Sequence, residues 1–196
     1  MRNLPYEVTL TRKDGTSRAF RIRRCGPADL AAILALQEKV YAGVEDKDTF
    51  ALTSREQFAE MLEYDRIYCA ELLPDGAPDA EEHAPQMAGL TAMTVNRVCG
   101  YHAGKELGYG DERFLTSVCM EVTFIDASCR GYGIQQIFFG LREEAARELG
   151  ARESLTTISP DNEYSLANAL RAGYTVVTQT SMYDGLDRYI LRKEFE

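Results

Sequence analysis

Gly131 and Gly133 stand two residues apart in the run Cys129-Arg130-Gly131-Tyr132-Gly133-Ile134-Gln135-Gln136. Glycine adopts backbone angles that other residues avoid, and it puts no side chain in the path of an approaching anion. The first turn of a helix adds unpaired N–H groups and a partial positive charge. The combination suits a phosphate or diphosphate, to which Arg130 could add a charge-assisted hydrogen bond. The same glycines equally serve a tight turn with close helix packing, and the residues alone leave both readings standing. A dinucleotide fingerprint requires a third glycine where Gln136 stands, and too little chain follows for its remaining strand–helix units. A Walker loop requires Lys-Ser or Lys-Thr where Ile134 and Gln135 stand.

Other chemistry is sparse. Cys25, Cys69, Cys99, Cys119 and Cys129 show no C-x-x-C spacing, which predicts reduced thiols, not a zinc site or a disulfide frame. His83 and His102 lie in polar stretches bearing glycine or proline and are expected at the surface. Neither a histidine triad nor a metal cage has the residues it needs.

The elements around the glycines follow from punctuation and period. Residues 6 to 12 and 18 to 24 flank Asp14-Gly15, a strong hairpin signal. Gly26-Pro27 breaks the second strand. Apolar residues at helical spacing predict a helix over 28 to 41, stopped by Gly43. Ser54-x-x-Gln57 reads as a capping box for a second helix, with Phe58, Met61 and Leu62 on one face. Strands are expected at 66–73 and 87–95, joined by an acidic, proline-rich connection over 73–86. The stretch 96–112 carries Gly100, Gly104, Gly108 and Gly110 and reads as a long functional or mobile loop. A long strand is expected over 113–126. The best helix signal is 131–149, where Ile134, Ile137, Phe138, Leu141, Ala145 and Leu149 share a face and Gly150 is the stop. A strand at 153–159, a helix from Pro160-Asp161 to Ala172 stopped by Gly173, and strands at 174–182 and 186–195 complete the chain. This order predicts one α/β domain over 1–196, with a mixed sheet, helices on its faces and residues 1–19 as an N-terminal hairpin extension.

The 196 residues suffice for one well-buried core. A net charge of −9, from 22 basic and 31 acidic residues, argues against a broad nucleic-acid footprint. No apolar run is long enough to cross a bilayer and no signal-peptide core is evident, so a cytoplasmic protein is expected.

The sequence around the glycines resembles the GCN5-related N-acetyltransferase (GNAT) superfamily over roughly residues 20 to 195. The residues that carry the resemblance are Ser128-Cys129-Arg130-Gly131-Tyr132-Gly133, set against the family's (Arg/Gln)-x-x-Gly-x-(Gly/Ala). Asn162, Ser165, Gly173 and Tyr174 match its second region, N-x-x-(Ser/Ala) followed by a helix ending in Gly-Phe. Ser128 departs from the first pattern, and Gln135 stands where many members have another glycine. The resemblance implies a mostly antiparallel, twisted sheet with one parallel pair splayed at a coenzyme A site. The N–H groups of Gly131, Tyr132, Gly133, Ile134 and Gln135 would hold the CoA diphosphate, with Arg130 beside them. The backbone of Phe124, Ile125 and Asp126 would pair with the pantetheine amides, as an added strand would. Asn162, with Ser165, would lie near the pantetheine; an ordinary helix-start residue is the other reading of Asn162, and the two are compatible.

The implied reaction is acetyl transfer from acetyl-CoA to a primary amine, by direct attack in a ternary complex and without a metal. It needs a base for the amine and an acid for the thiolate. The tyrosine that many members use as acid falls at Ala169, which has no hydroxyl. Tyr164, Ser165 and Tyr183 are the neighbouring candidates, and Tyr183 is carried forward. Glu121 shares a strand face with Thr123 and Ile125 and is the candidate base. A charge between Met120 and Val122 is costly unless used or paired, so an ion pair with an arginine of a neighbouring strand is the competing reading.

With successive strands antiparallel, the end of 18–24 lies beside the start of 113–126, and Tyr101, His102, Tyr109 and Tyr183 are candidate acceptor-pocket residues. Exposed loop side chains are the plainer reading of each. The acceptor is expected to be an amine on a small molecule or peptide, and a homodimer through the last strands is compatible with the family. An inactive acyl-CoA sensor or assembly subunit is the alternative, as is a different acyl donor.

Overall fold

A computed structural model describes the protein over residues 3–74, 85–95, 97 and 102–195. The strands are β1 (Tyr6–Thr11), β2 (Ser17–Arg24), β3 (Arg66–Leu72), β4 (Gln86–Met93), β5 (Ser117–Ile125), β6 (Glu153–Ile158), β7 (Thr175–Met182) and β8 (Leu186–Glu194). The helices are α1 (Leu30–Ala42), α2 (Arg55–Tyr64), α3 (Asp111–Leu115), α4 (Ile134–Glu148) and α5 (Glu163–Arg171). The strands form one sheet in the order β1-β2-β3-β4-β5-β6-β8-β7. Its β5–β6 pair is parallel, and the antiparallel pairs include β1–β2, β2–β3, β6–β8 and β7–β8. This is the mixed sheet expected. β2 borders β1 and β3, so β3 and β4 stand between it and β5, which corrects the expected adjacency. Among the described residues, no helix is long and apolar enough to cross a membrane.

The chain divides into two compact units. The first comprises Met1–Gly43, Ser54–Ala92 and Val122–Phe138. Its hairpin runs in register from Tyr6↔Ile22 to Thr11↔Ser17 around the Asp14-Gly15 turn. Phe20, Ile22, Ile33, Phe58, Ile67 and Leu90 are fully buried in it. Each such side chain contributes about 1.5–3 kcal/mol relative to exposure. Gly26-Pro27 ends β2 as expected, and Asp29 fastens the corner by accepting from the Gly26 N–H (2.8 Å) and from the Arg23 guanidinium (2.7 and 2.9 Å). The same guanidinium reaches Glu71 at 2.7 Å. Ser54 and Gln57 form the expected capping box, with Ser54 Oγ accepting from Gln57 N–H at 3.2 Å and Gln57 Oε1 from Ser54 N–H at 2.8 Å.

The second unit comprises Val44–Thr53, Met93–Glu121 and Phe139–Glu196. Cys119, Leu155, Ile190 and Ala103 form a core cluster, with Leu107, Tyr109 and Met182 packed against it. Two of the boundaries that differ from expectation bear on the site. Residues 113–115 are not strand; they end the short helix α3, which starts after Gly110 with Asp111 and Glu112 in its positive first turn. From there Arg113 donates to both oxygens of buried Glu153, each at 2.8 Å. Helix α4 begins at Ile134, three residues later than expected, because Gly131 (φ +85°) and Gly133 (φ +82°) hold left-handed angles that a helix cannot include. Cys25, Cys69, Cys119 and Cys129 are buried thiols without a disulfide, as expected. Cys99 and His83 lie outside the described residues.

Candidate active site

In the first unit, β5 ends in a 3-10 turn, Ala127–Cys129, that delivers the chain to the glycines. Asp126 organises this corner. It is buried, and one of its oxygens accepts from the Ser128 N–H (2.9 Å) and hydroxyl (2.8 Å). The other oxygen pairs with Lys39 of α1. Burial alone would raise this carboxyl, but Lys39 and Ser128 outweigh it and hold it below the usual carboxylate range.

The glycines then turn the backbone so that its N–H groups are left over. Among the described residues, the N–H groups of Gly131, Tyr132, Gly133 and Ile134 have no backbone acceptor, and helix bonding starts with Gln136 and Ile137 donating to Gly133 O. A Cβ at Gly133 would meet nothing within 4 Å. Such a row of donors at a 15-residue helix start is a fit for an anion. Tyr132 and Ile134 are both buried, and the Tyr132 ring meets Phe20 edge-on at 5.5 Å, so these two offer only backbone to a ligand. Arg130 is exposed, and its Nε donates to Ile125 O at 3.4 Å.

One residue at this loop escaped the sequence reading. Arg12, at the hairpin turn, donates from Nε to Arg130 O and from Nη2 to Ser128 O, both at 2.7 Å. Its guanidinium lies 4.5 Å from the centre of the Tyr132 ring.

The strand before the corner has a definite polarity. The Asp126 N–H donates to Ala88 O at 2.8 Å, so of the three residues expected to pair with pantetheine, Asp126 has its N–H engaged by β4. Backbone groups alternate between the two edges of a strand, so Phe124 also turns its backbone to β4, and Ile125 turns the other way. Thr91 Oγ and Thr123 Oγ share a 2.7 Å hydrogen bond on this strand pair.

In the second unit, the parallel β5–β6 register runs from Ser117↔Glu153 to Met120↔Thr156 and stops there, although β6 continues its ladder with β8 through Thr157 and Ile158. Glu121, half-buried, is the next residue of β5. Tyr183 belongs to the same unit. It sits in the β7–β8 turn with φ +50°, followed by Asp184 at +63°, a left-handed pair that is uncommon for a tyrosine. The Gly185 N–H closes the turn onto Met182 O at 3.2 Å. The Tyr183 hydroxyl is 2.9 Å from Thr157 Oγ1 and its ring is 5.7 Å from the Arg188 guanidinium. Tyr183 is 37% exposed. Burial pushes the phenol well above its ordinary value, the Glu121 charge adds to this, and Thr157 and Arg188 oppose it. Glu121 and Tyr183 are therefore brought within electrostatic reach of each other. The Glu121 charge also bears on Arg142, an α4 arginine that burial pushes down to about 10.

Asn162 caps α5, its Oδ1 accepting from the half-buried Ser165 N–H at 3.0 Å, which is the helix-start reading of that residue. Ala169 is sealed at 0% exposure, and Tyr164 stands out at 89%. His102 is not a surface residue, contrary to expectation. It is buried, its Nδ1 accepts from the Gly104 N–H at 3.0 Å, and its ring meets Phe114 edge-on at 5.0 Å. Tyr109 is half-buried with the Arg113 guanidinium 4.1 Å over its ring, and burial and Glu153 push its phenol up to about 12. Both are engaged in packing. Tyr101 lies outside the described residues.

No protein-family model matches the sequence, and no curated protein matches it. Solved structures do match in fold. An acetyltransferase of the GNAT family from Streptococcus pneumoniae aligns with TM-score 0.63 at 16% identity, over 90% of this chain and 99% of that one. The structure of yncA from Salmonella typhimurium with its cofactor acetyl-CoA aligns with TM-score 0.63 at 15% identity, over 90% and 94%. The ribosomal-protein-S18-alanine N-acetyltransferase from Escherichia coli aligns with TM-score 0.61 at 14% identity, over 89% and 93%. An eight-stranded sheet with a parallel β5–β6 pair, and a glycine corner between β5 and α4, thus give this chain the fold of the GNAT-family acetyltransferases.

Proposed function

We propose that this protein is an acetyl-CoA-dependent N-acetyltransferase that acts on a primary amine of a small molecule or peptide. The observation that carries the reading is the row of N–H groups from Gly131 to Ile134, left without backbone acceptors at the start of α4. On this reading they hold the diphosphate, with Arg130 alongside and Gln135 completing the turn. Bound acetyl-CoA supplies an acetyl group on a thiol leaving group. The β5 backbone beyond Met120, where the β6 ladder stops, is the edge that would receive the pantetheine amides. Ile125 rather than Asp126 carries that role, and Asn162 and Ser165 act through the shape of the α5 start.

The residues then divide the proton work. Glu121 takes the proton that the amine loses as its nitrogen attacks the acyl carbon, directly or through water. Tyr183 is protonated at neutral pH and is assigned the proton that the departing sulfur takes; its raised phenol makes that transfer harder, and neutralisation of Glu121 by the amine proton removes part of the rise. Most of the acceleration would come from positioning and from backbone N–H groups, not from either side chain alone.

The sealed Ala169 favours a second reading, an acyl-CoA sensor without turnover. Thermal shift and thiol release separate the two. Acetyl-CoA at a hundredfold excess over its Kd is expected to stabilise the fold by about 2.7 kcal/mol, and thiol release against an amine panel follows if the enzyme reading holds. Stabilisation without thiol release supports the sensor. No stabilisation by any acyl-CoA defeats both.

A further inference from the structure

We infer that Arg12 is a positioning residue that aims the Gly131 N–H, the first of the anion-binding row, and steadies the turn that leads into it. The inference rests on the acetyl-CoA reading above and extends it to a residue from the N-terminal hairpin, 118 positions before the carbonyl it binds.

The geometry is specific. A peptide unit is planar, so the C=O of Arg130 and the N–H of Gly131 are two ends of one rigid plate. Arg12 Nε donates to that C=O at 2.7 Å and thereby turns the Gly131 N–H the opposite way. Arg12 Nη2 fixes the Ser128 carbonyl, two peptides earlier, at the same distance. One planar guanidinium thus sets the orientation of two peptides entering the corner in a fixed fork, where an ammonium on a flexible stem would hold them with less defined geometry. A donor placed on a carbonyl also polarises the whole peptide and strengthens the N–H at its far end.

Arg12 is itself held at both ends. Its backbone N–H donates to Thr16 O at 2.9 Å and its carbonyl accepts from the Gly15 N–H at 3.0 Å, so the Asp14-Gly15 turn fixes where the side chain starts. At the other end the guanidinium lies 4.5 Å from the Tyr132 ring centre, where cation–π attraction helps to hold it. The Arg12 Nε is 3.5 Å from the point that a Cβ on Gly131 would occupy, so it lies in ordinary contact with the first left-handed glycine.

Calorimetric titration of the full-length protein with CoA tests the inference, using wild type, Arg12→Ala, Arg12→Lys and Val8→Ala. Val8→Ala trims the same hairpin without removing either Arg12 hydrogen bond. Arg12→Ala is expected to weaken CoA binding about tenfold, equivalent to about 1.4 kcal/mol. Arg12→Lys should recover only part of that loss, and Val8→Ala should lower Tm without changing CoA affinity. If wild type does not bind CoA, the functional reading itself fails and this inference falls with it. If wild type binds and Arg12→Ala binds as tightly, the inference alone is overturned. It is also overturned if Arg12→Lys recovers full affinity, because charge and not aiming would then be the cause. Equal weakening in Val8→Ala overturns it too, by tracing the effect to hairpin stability.

Discussion

The Tyr183 hydroxyl lies 2.9 Å from Thr157 Oγ1, which ties a left-handed turn residue to the parallel strand β6. A tyrosine at positive φ is strained, and a strained residue persists where surrounding contacts hold it. On the proposed mechanism Tyr183→Phe keeps CoA affinity and lowers kcat about 10²-fold, within the range for loss of a general acid. The phenol is pushed above its ordinary value of 10, so it remains protonated through neutral and mildly alkaline pH. The wild-type rate is therefore expected to show no alkaline fall from this group up to about pH 10. A fall centred near pH 8 that vanishes in Tyr183→Phe would contradict the assignment.

Glu121→Gln preserves size and removes the base. Turnover should fall about 10²- to 10³-fold with CoA binding unchanged, and raising the pH should partly restore the rate by supplying deprotonated amine. Unchanged turnover removes Glu121 from the chemistry.

Gly131→Ala and Gly133→Ala each force a Cβ into a left-handed angle, at a cost of about 1–2 kcal/mol. Space is open around Gly133, so its substitution strains the backbone without a clash in the protein. Both variants should fold with a lowered Tm and bind CoA at least tenfold more weakly. Wild-type affinity in both would separate the corner from the ligand.

Glu153 gives the fold a pH dependence. Burial alone would raise its carboxyl, but Arg113 and Tyr109 outweigh that and hold it below its ordinary value of 4.5. A carboxyl depressed in the folded state adds stability that is complete above its unfolded value, and that is lost as pH falls through the folded one. Chemical denaturation from pH 7 down to 3 should therefore lose stability in wild type below about pH 4.5. Glu153→Gln should start less stable at pH 7 and show a shallower acid slope.

Much of the architecture was legible because local rules fix it. Asp14-Gly15 needs no partner to make a hairpin, and Ser54 with Gln57 caps a helix within four residues. Gly150 and Gly173 end helices with left-handed angles that glycine adopts freely. The errors arise where distant residues decide. Residues 113–115 read as the start of a strand because Phe114 and Leu115 are apolar, but Arg113 is drawn to Glu153, forty positions later. His102 reads as exposed among glycines, yet Phe114 and the Gly104 N–H enclose it. Arg12 carries no signal at all in its neighbourhood, since its bonding partners are carbonyls, and every residue has one.

Ala169 has a consequence for engineering. Its methyl is wholly enclosed, and its carbonyl accepts from the Tyr174 N–H at 3.1 Å to end α5. A phenol grafted at this position would have to displace interior atoms before it could reach any ligand. A single substitution therefore cannot restore the helix-borne proton donor, and redesign of this chain must work from the β7–β8 turn.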